Sequence, residues 1–191
     1  MALENFERIM TAIFELEGGF SNDPRDPGGM TNLGVTAEAW AAWNKVPLSQ
    51  TSTDEMKGLT QAQVLPFYRA NYWNMIDGDA LPSGIDAILM HFQVNAGGRK
   101  AAKELQAIVG ATQDGMIGVQ TLGMIKIYVS YISSGGMLGL IAALVRAQLT
   151  YYQSLAEFDI YGNGWVRRVQ TMAELARSLV PAPMPPQAAA Q

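Results

Sequence analysis

The sequence predicts a mainly α-helical fold with a small β-hairpin or turn element after the first helix. Three observations carry this. Apolar residues recur at three- and four-residue steps over most of the chain, the spacing of amphipathic helices. No long alternating run, the mark of a half-buried strand, occurs anywhere. One early stretch, residues 20–36, is so dense in Gly, Pro, Asn and Asp that tight turns and short strands fit it and a helix does not.

Leu3, Phe6, Ile9, Met10, Ile13, Phe14 and Leu16 form the apolar stripe of the first helix, and Gly18-Gly19 ends it. Asn22-Asp23-Pro24, Asp26-Pro27-Gly28-Gly29 and Thr31-Asn32-Leu33-Gly34-Val35-Thr36 follow as turns with a small hairpin. Thr36 caps a second helix carrying Trp40 and Trp43, and a polar loop, 47–58, comes next. Thr60 with Gln63 makes a capping box for a third helix through Tyr68, Tyr72 and Trp73, with Pro66 as a candidate kink. Asp77-Gly78-Asp79 and Pro82 mark a boundary. Ser83 with Asp86 opens a fourth helix, lined by Ile85, Ile88, Leu89 and Phe92 and broken by Asn95-Ala96-Gly97-Gly98. A fifth runs from about Lys100 to Val109 and stops at Gly110, and Asp114-Gly115 is a turn. Three more helices are expected at about 118–132, 137–157 and 163–179. The prolines of 181–186 and the Ala-Gln end predict a frayed, disordered tail, 181–191.

At 191 residues the chain is one large domain or two small lobes sharing a core. Without cysteine there is no disulfide framework, zinc–thiolate site or thiol nucleophile, and a single histidine excludes the H-E-x-x-H zinc helix. A hydrophobic content of 49% with 16% charged residues excludes a disordered chain, and a net charge of −4 argues against nucleic acid as the partner. Charge is uneven: residues 1–80 carry a net −6 and residues 81–191 a net +2. The basic half can rest on an anionic polymer, or the asymmetry is chance. No targeting segment is visible. Residues 127–145 hold no charge over the length of a membrane span. Ser133-Ser134-Gly135-Gly136 in their middle reads instead as a loop between two buried helices, and the chain is expected to be soluble in the cytoplasm.

Glu17 is the most informative residue. Helical steps back from it meet Phe14, Ile13, Met10 and Phe6, so it ends the apolar stripe instead of pointing to water. A carboxyl held against apolar neighbours has its ionised form disfavoured, the property a proton donor in glycoside hydrolysis needs. The plain alternative is a half-exposed Glu near a helix end. Asp26 and Thr31 lie on the turn that follows. A second carboxylate across a cleft, with room for a water, is the minimum for an inverting glycosidase. Asp23 is the rival for that role, and Asp before Pro is also ordinary turn chemistry. The EF-hand spacing is absent, so Asp23 and Asp26 do not make a calcium loop. His91, without Cys partners or a nucleophile motif, is read as structural. Gly97-Gly98-Arg99-Lys100 lacks the spacing of a phosphate loop.

Glu17-Gly18-Gly19-Phe20, Asn22-Asp23-Pro24, Asp26-Pro27-Gly28-Gly29, Thr31-Asn32 and Gly34-Val35-Thr36 together resemble the signature of glycoside hydrolase family 108, N-acetylmuramidases that are often phage endolysins. A later block, Asp86, Gln93-Val94-Asn95-Ala96-Gly97, Ala101-Ala102, Leu105-Gln106, Asp114-Gly115, Ile117-Gly118 and Thr121-Leu122, resembles the peptidoglycan-binding module that accompanies that catalytic domain. The likeness spans about residues 3–180. It implies a lysozyme-like catalytic region at 1–80, a helical peptidoglycan-binding region at 81–180, Glu17 as the catalytic acid, and Gln93 and Asn95 as glycan contacts. A more distant likeness to phage-type lysozymes, which place Glu, Asp and Thr in that order after a first helix, assigns Asp26 and Thr31 to the attacking water. The Asp-to-Thr spacing here is a residue shorter.

Sugar rings pack their flat C–H faces on aromatic rings. Trp40, Trp43, Tyr68, Tyr72 and Trp73 cluster in residues 40–73, and Tyr72 and Trp73 are the ones expected in the cleft. The function these signs point to is hydrolysis of the β-1,4 bond between N-acetylmuramic acid and N-acetylglucosamine by a monomer that uses no metal or cofactor. Its partner is the glycan strand of peptidoglycan, not nucleic acid and not a membrane. The endolysin likeness implies an enzyme held in the host cytoplasm and released to the wall through a holin-type pore. A lytic transglycosylase using the same Glu17, and a catalytically silent wall-binding protein, are the alternatives.

Overall fold

The computed structural model describes residues 2–22, 29–97, 99–131 and 135–182. Helix α1, Ala2–Leu16, forms where the apolar stripe predicts it and buries Phe6, Ile9, Met10, Ile13 and Phe14. Each such side chain contributes about 1.5–3 kcal/mol. Strands β1, Thr31–Asn32, and β2, Val35–Thr36, pair antiparallel with Thr31 opposite Thr36 and Asn32 opposite Val35. Leu33 and Gly34 connect them with φ of 49° and 74°, the two positive values that a type I′ hairpin turn requires. Helix α2, Ala37–Asn44, begins where the Thr36 hydroxyl accepts the Ala39 N–H at 3.1 Å.

The stretch expected as a polar loop is more ordered than that. It holds a 3₁₀ turn, Leu48–Gln50, and helix α3, Thr53–Lys57, capped by the Ser52 hydroxyl on the Glu55 N–H. Met56 and Leu59 are buried and tie the segment to the core. The Thr60–Gln63 capping box opens α4, Gln61–Tyr68. Past Pro66 the helix widens into a π turn, Arg69–Trp73, and then tightens into a 3₁₀ turn, Asn74–Ile76.

Helix α5, Ile85–Ala96, is buried along its first nine residues and packs against α1, α6 (Lys100–Val109), α8 (Gly136–Gln153) and α9 (Phe158–Leu179). A helix apolar all round belongs at the centre of a bundle. It starts at Ile85, not Ser83, because Gly84 with φ 94° makes the turn into it. Asp86 accepts the Gly84 N–H at 2.7 Å and the Asn5 amide at 2.8 Å, which ties α1 to α5. Burial raises the Asp86 carboxyl above the usual carboxylate range, and the bonds from Asn5, Gly84 and Ala87 oppose that. Helix α7, Val119–Ser130, ends at Tyr131 and α8 begins at Gly136. The chain therefore breaks where the Ser-Gly cluster predicts, although Ser133 and Ser134 lie outside the described residues. No helix among them is long and apolar enough to cross a membrane. Helix α9 begins five residues before the predicted start, because the Phe158 ring lies over Gly162 and makes that glycine a packing position, not a breaker. One buried cluster runs from Phe6 to Leu179, so residues on both sides of position 80 share a core. Residues 183–191, and with them most of the predicted tail, lie outside the described residues.

Candidate functional site

Glu17 follows the last residue of α1, and its N–H still donates to the Ile13 carbonyl at 2.9 Å. Its side chain continues the buried stripe yet is half-buried, at the point where apolar core gives way to surface. Gly18 and Gly19 after it have open space where a Cβ would stand. The chain then returns toward the hairpin: Ser21 pairs with Thr31 through two backbone bonds of 2.8 and 2.9 Å. Asp23 and Asp26 lie outside the described residues. Thr31 is on β1, half-buried, with its hydroxyl donating to the Gly29 carbonyl at 3.4 Å. Behind it the buried Asn32 amide donates to the Met56 carbonyl at 2.7 Å and fastens the hairpin to α3.

The hairpin turn meets Glu17 through Tyr68. The Tyr68 hydroxyl donates to the Leu33 carbonyl at 2.8 Å. A Cβ on Gly34 would stand 2.5 Å from that hydroxyl and 3.7 Å from Glu17 Cγ. Gly34 is thus required twice, for its positive φ and for this close approach. Burial raises the Tyr68 phenol pKa, and the Tyr72 and Glu17 charges add to the rise. Tyr152 on α8 is pushed up to about 12, first by burial and further by the charges of Glu17 and Tyr151, against the lowering effects of Gln148 and Arg168. Two neutral phenols therefore stand within electrostatic reach of the Glu17 carboxyl.

A cleft of about 800 Å³ opens beside this corner, lined by Trp43, Phe67, Asn71, Tyr72, Gln93 and Gly97 among others. Tyr72 reaches it, and its ring lies 5.3 Å from that of Tyr68, so a continuous pair of rings joins the cleft to the Gly34–Glu17 corner. Gln93 also lines it. Asn95 lies beyond this lining, with its amide donating to the His91 carbonyl at 2.8 Å one helical turn back. Trp73 is a correction: it is 0% exposed, its Nε1 donates to Asp79 at 2.9 Å, and its ring packs on Gly78 and at 5.1 Å from Phe6. The π turn is the physical cause. Its wider turn rotates Trp73 into the core. Trp43 takes the place expected for Trp73, 37% exposed and edge-on to Phe67 at 5.8 Å. Trp40, three residues earlier, is buried instead, with its Nε1 donating to Glu55 at 2.9 Å. Nothing in the local pattern singles out Asn71.

His91 is internal, 2% exposed and paired with Gln148, whose amide also donates to the Tyr152 hydroxyl at 3.0 Å. Burial, opposed by Gln148 and aided by the Arg168 charge, takes the imidazole down to about 4, so it is neutral at pH 7. Gln106 is internal too. Its amide donates to Asp114, the Met116 carbonyl and Thr121, and its carbonyl accepts the Gly115 N–H at 2.8 Å. The bonds from Met116 and Gln106 hold the Asp114 carboxyl below its usual range. Among the described residues no group of three His, Asp or Glu side chains gathers as metal ligands would.

Nine helices among the described residues, a two-stranded hairpin after the first, and an acid at that helix's end beside an aromatic cleft define a lysozyme-like fold. Residues 10–97 match the family model described as glycosyl hydrolase 108. The solved structure of SagA from Brucella abortus is similar, with 35% identity, a TM-score of 0.75, and coverage of 91% of this chain and 94% of that one. A search of curated proteins found no match. The chain belongs to glycosyl hydrolase family 108, and the matched span contains Glu17, the hairpin and the cleft residues through Gly97.

Proposed function

We propose that the protein is an N-acetylmuramidase that cleaves the β-1,4 bond between N-acetylmuramic acid and N-acetylglucosamine in peptidoglycan. The observation that carries this is the position of Glu17, half-buried at the end of an apolar stripe and packed against a hairpin turn that a tyrosine clamps. In this reading Glu17 protonates the glycosidic oxygen, and Asp26 with Thr31 holds the attacking water. The Ser21–Thr31 pairing on either side of Asp26 supports that assignment. Tyr72 and Trp43 stack on sugar rings, and Gln93 bonds to an N-acetyl group. Acid–base chemistry carries the reaction, without metal or cofactor. Residues 81–180 add affinity for the glycan strand. The endolysin likeness of the Glu17 motif supports a phage-type monomer that reaches the wall through a holin-type pore.

Mass spectrometry of fragments from purified peptidoglycan tests this. The expected products carry reducing muramic acid ends. Glu17→Gln is expected to lower the rate by about 10²–10⁴ with unchanged circular dichroism. Products with 1,6-anhydro ends would reassign the enzyme as a transglycosylase, and full lysis by the Gln variant would remove Glu17 from the mechanism.

A further inference from the structure

A second aromatic face stands at the Glu17 end of the bundle, apart from the cleft. Tyr152, near the end of α8, packs at 5.2 Å from Trp165 on α9, and Trp165 meets Tyr161 at 6.0 Å. Tyr161 is 56% exposed and its neighbour Ile160 74%, while Trp165 is half-buried. Arg168, less than one turn beyond Trp165, is half-buried as well, and its charge is felt by both Tyr152 and His91. Among the described residues Arg168 makes no ion pair.

Two contacts anchor α1 and α9 at the start of α5, and both Glu17 and this face lie away from them. Asn5 on α1 meets Asp86 on α5, and the adjacent Gly84 meets Ala176 on α9. Twelve residues forward from Asn5 is Glu17, and twelve residues back from Ala176 is Gly164, each roughly 18 Å from its anchor at about 1.5 Å per residue. Tyr152 closes the link, since it touches Trp165 and feels the Glu17 charge.

We propose that Tyr161, Trp165 and Arg168 form a subsite for the same peptidoglycan strand, holding a saccharide unit that bears a carboxylate and lies away from the bond being cut. The aromatic rings take the flat face of the sugar. The guanidinium takes the carboxylate of a lactyl group or stem peptide through paired N–H bonds. The net +2 of residues 81–191 complements a polymer that carries many carboxylates. A few rings beside a cation are much smaller than the roughly 800 Å² per partner of a stable protein interface. That one strand spans both places rests on the catalytic reading of Glu17; the binding itself does not.

Sedimentation with purified sacculi, using Glu17→Gln protein, is the test. Tyr161→Ala and Trp165→Ala are expected to weaken retention about 3- to 10-fold. Arg168→Gln is expected to weaken it about ten-fold on sacculi while leaving binding to N-acetylglucosamine oligomers, which lack carboxylates, unchanged. In the active protein Tyr161→Ala raises KM for sacculi and leaves kcat on short muropeptides in place. Trp165→Ala can lose stability because Trp165 packs on Tyr152, so the exposed Tyr161→Ala decides where melting temperatures differ. Parental retention by both Tyr161→Ala and Arg168→Gln overturns the subsite. So does a Tyr161-dependent dimer in sedimentation velocity, or Tyr161-dependent binding to phosphatidylglycerol vesicles. Lysis by the Glu17→Gln protein counts against the catalytic reading alone, because retention on ice is read without turnover.

Discussion

Two Gly- and Asp-rich turns follow helices in this chain, and they use their polar groups in opposite ways. After α6, the turn through Asp114 and Gly115 is closed on itself. Gln106 satisfies Asp114, Gly115, Met116 and Thr121 from a position 1% exposed. After α1, the turn that begins at Gly18 leaves Glu17 half-buried, and no described residue donates a hydrogen bond to its carboxyl. Its neighbour Tyr68 directs its proton to the Leu33 carbonyl instead. The two turns look alike in composition. Among the described residues they differ in whether a side chain already satisfies the carboxyl beside them: Gln106 does so for Asp114, and none does so for Glu17.

The largest expected effect breaks the comparison at Glu17. Glu17→Gln lowers the rate by about 10²–10⁴ and leaves the melting temperature near that of the parent, because a half-exposed amide replaces a carboxyl of the same shape. Turbidity clearing of a cell-wall suspension, read beside thermal unfolding, separates the two quantities. A large fall in melting temperature would make Glu17 a structural residue like Gln106.

The buried chain His91–Gln148–Tyr152 sharpens it from the inside. The folded His91 titrates at about 4 against 6.5 in the unfolded chain, so the fold favours neutral imidazole. The resulting stability is complete above pH 6.5 and is lost as pH falls toward 4. Between pH 6.5 and 5 the loss is about 2 kcal/mol from this group. Urea unfolding at those two values checks it, and His91→Gln is expected to remove most of the difference.

At the closed turn the prediction is inverted. Gln106→Leu leaves the Gly115 N–H, the Asp114 carboxyl and Thr121 without their partner and costs about 1–3 kcal/mol. For a chain of this size that is roughly 2–4 °C of melting temperature for each kcal/mol. Turnover per folded molecule should not change. A specific loss of glycan binding with no loss of stability would make Gln106 a binding residue instead of a structural one.

Much of this was legible in the residues. The stripe of α1 ending at Glu17, the Thr60–Gln63 box and the turn at Leu33-Gly34 follow from rules that act within a few residues. Helix α3 was legible in principle from Ser52-x-x-Glu55 and the buried Met56, but Ser, Thr and Asp around them also suit a loop. What was not legible depended on contacts distant in sequence. Gly162 reads as a breaker until Phe158 is seen lying over it, and Asp86 reads as a cap until Asn5 reaches it. The π turn after Pro66 has no local signature strong enough to predict, yet it decides which aromatic lines the cleft.

That decision gives the smallest effect. Trp43 is 37% exposed on the cleft wall and Trp73 0% exposed beneath Gly78. A ring that stacks on sugar contributes about 0.5–1.5 kcal/mol beyond the area it covers. Trp43→Ala is therefore expected to raise KM for glycan roughly 3- to 10-fold, with kcat nearly unchanged if the ring binds ground and transition states alike. Trp43 touches Phe67 edge-on, so a modest drop in melting temperature accompanies it. Trp43→Phe keeps a ring at that edge and is expected to recover most of the KM. A KM unchanged in Trp43→Ala would mean that Tyr72 alone forms the aromatic wall of the cleft, and that Trp43 is a surface residue of α2.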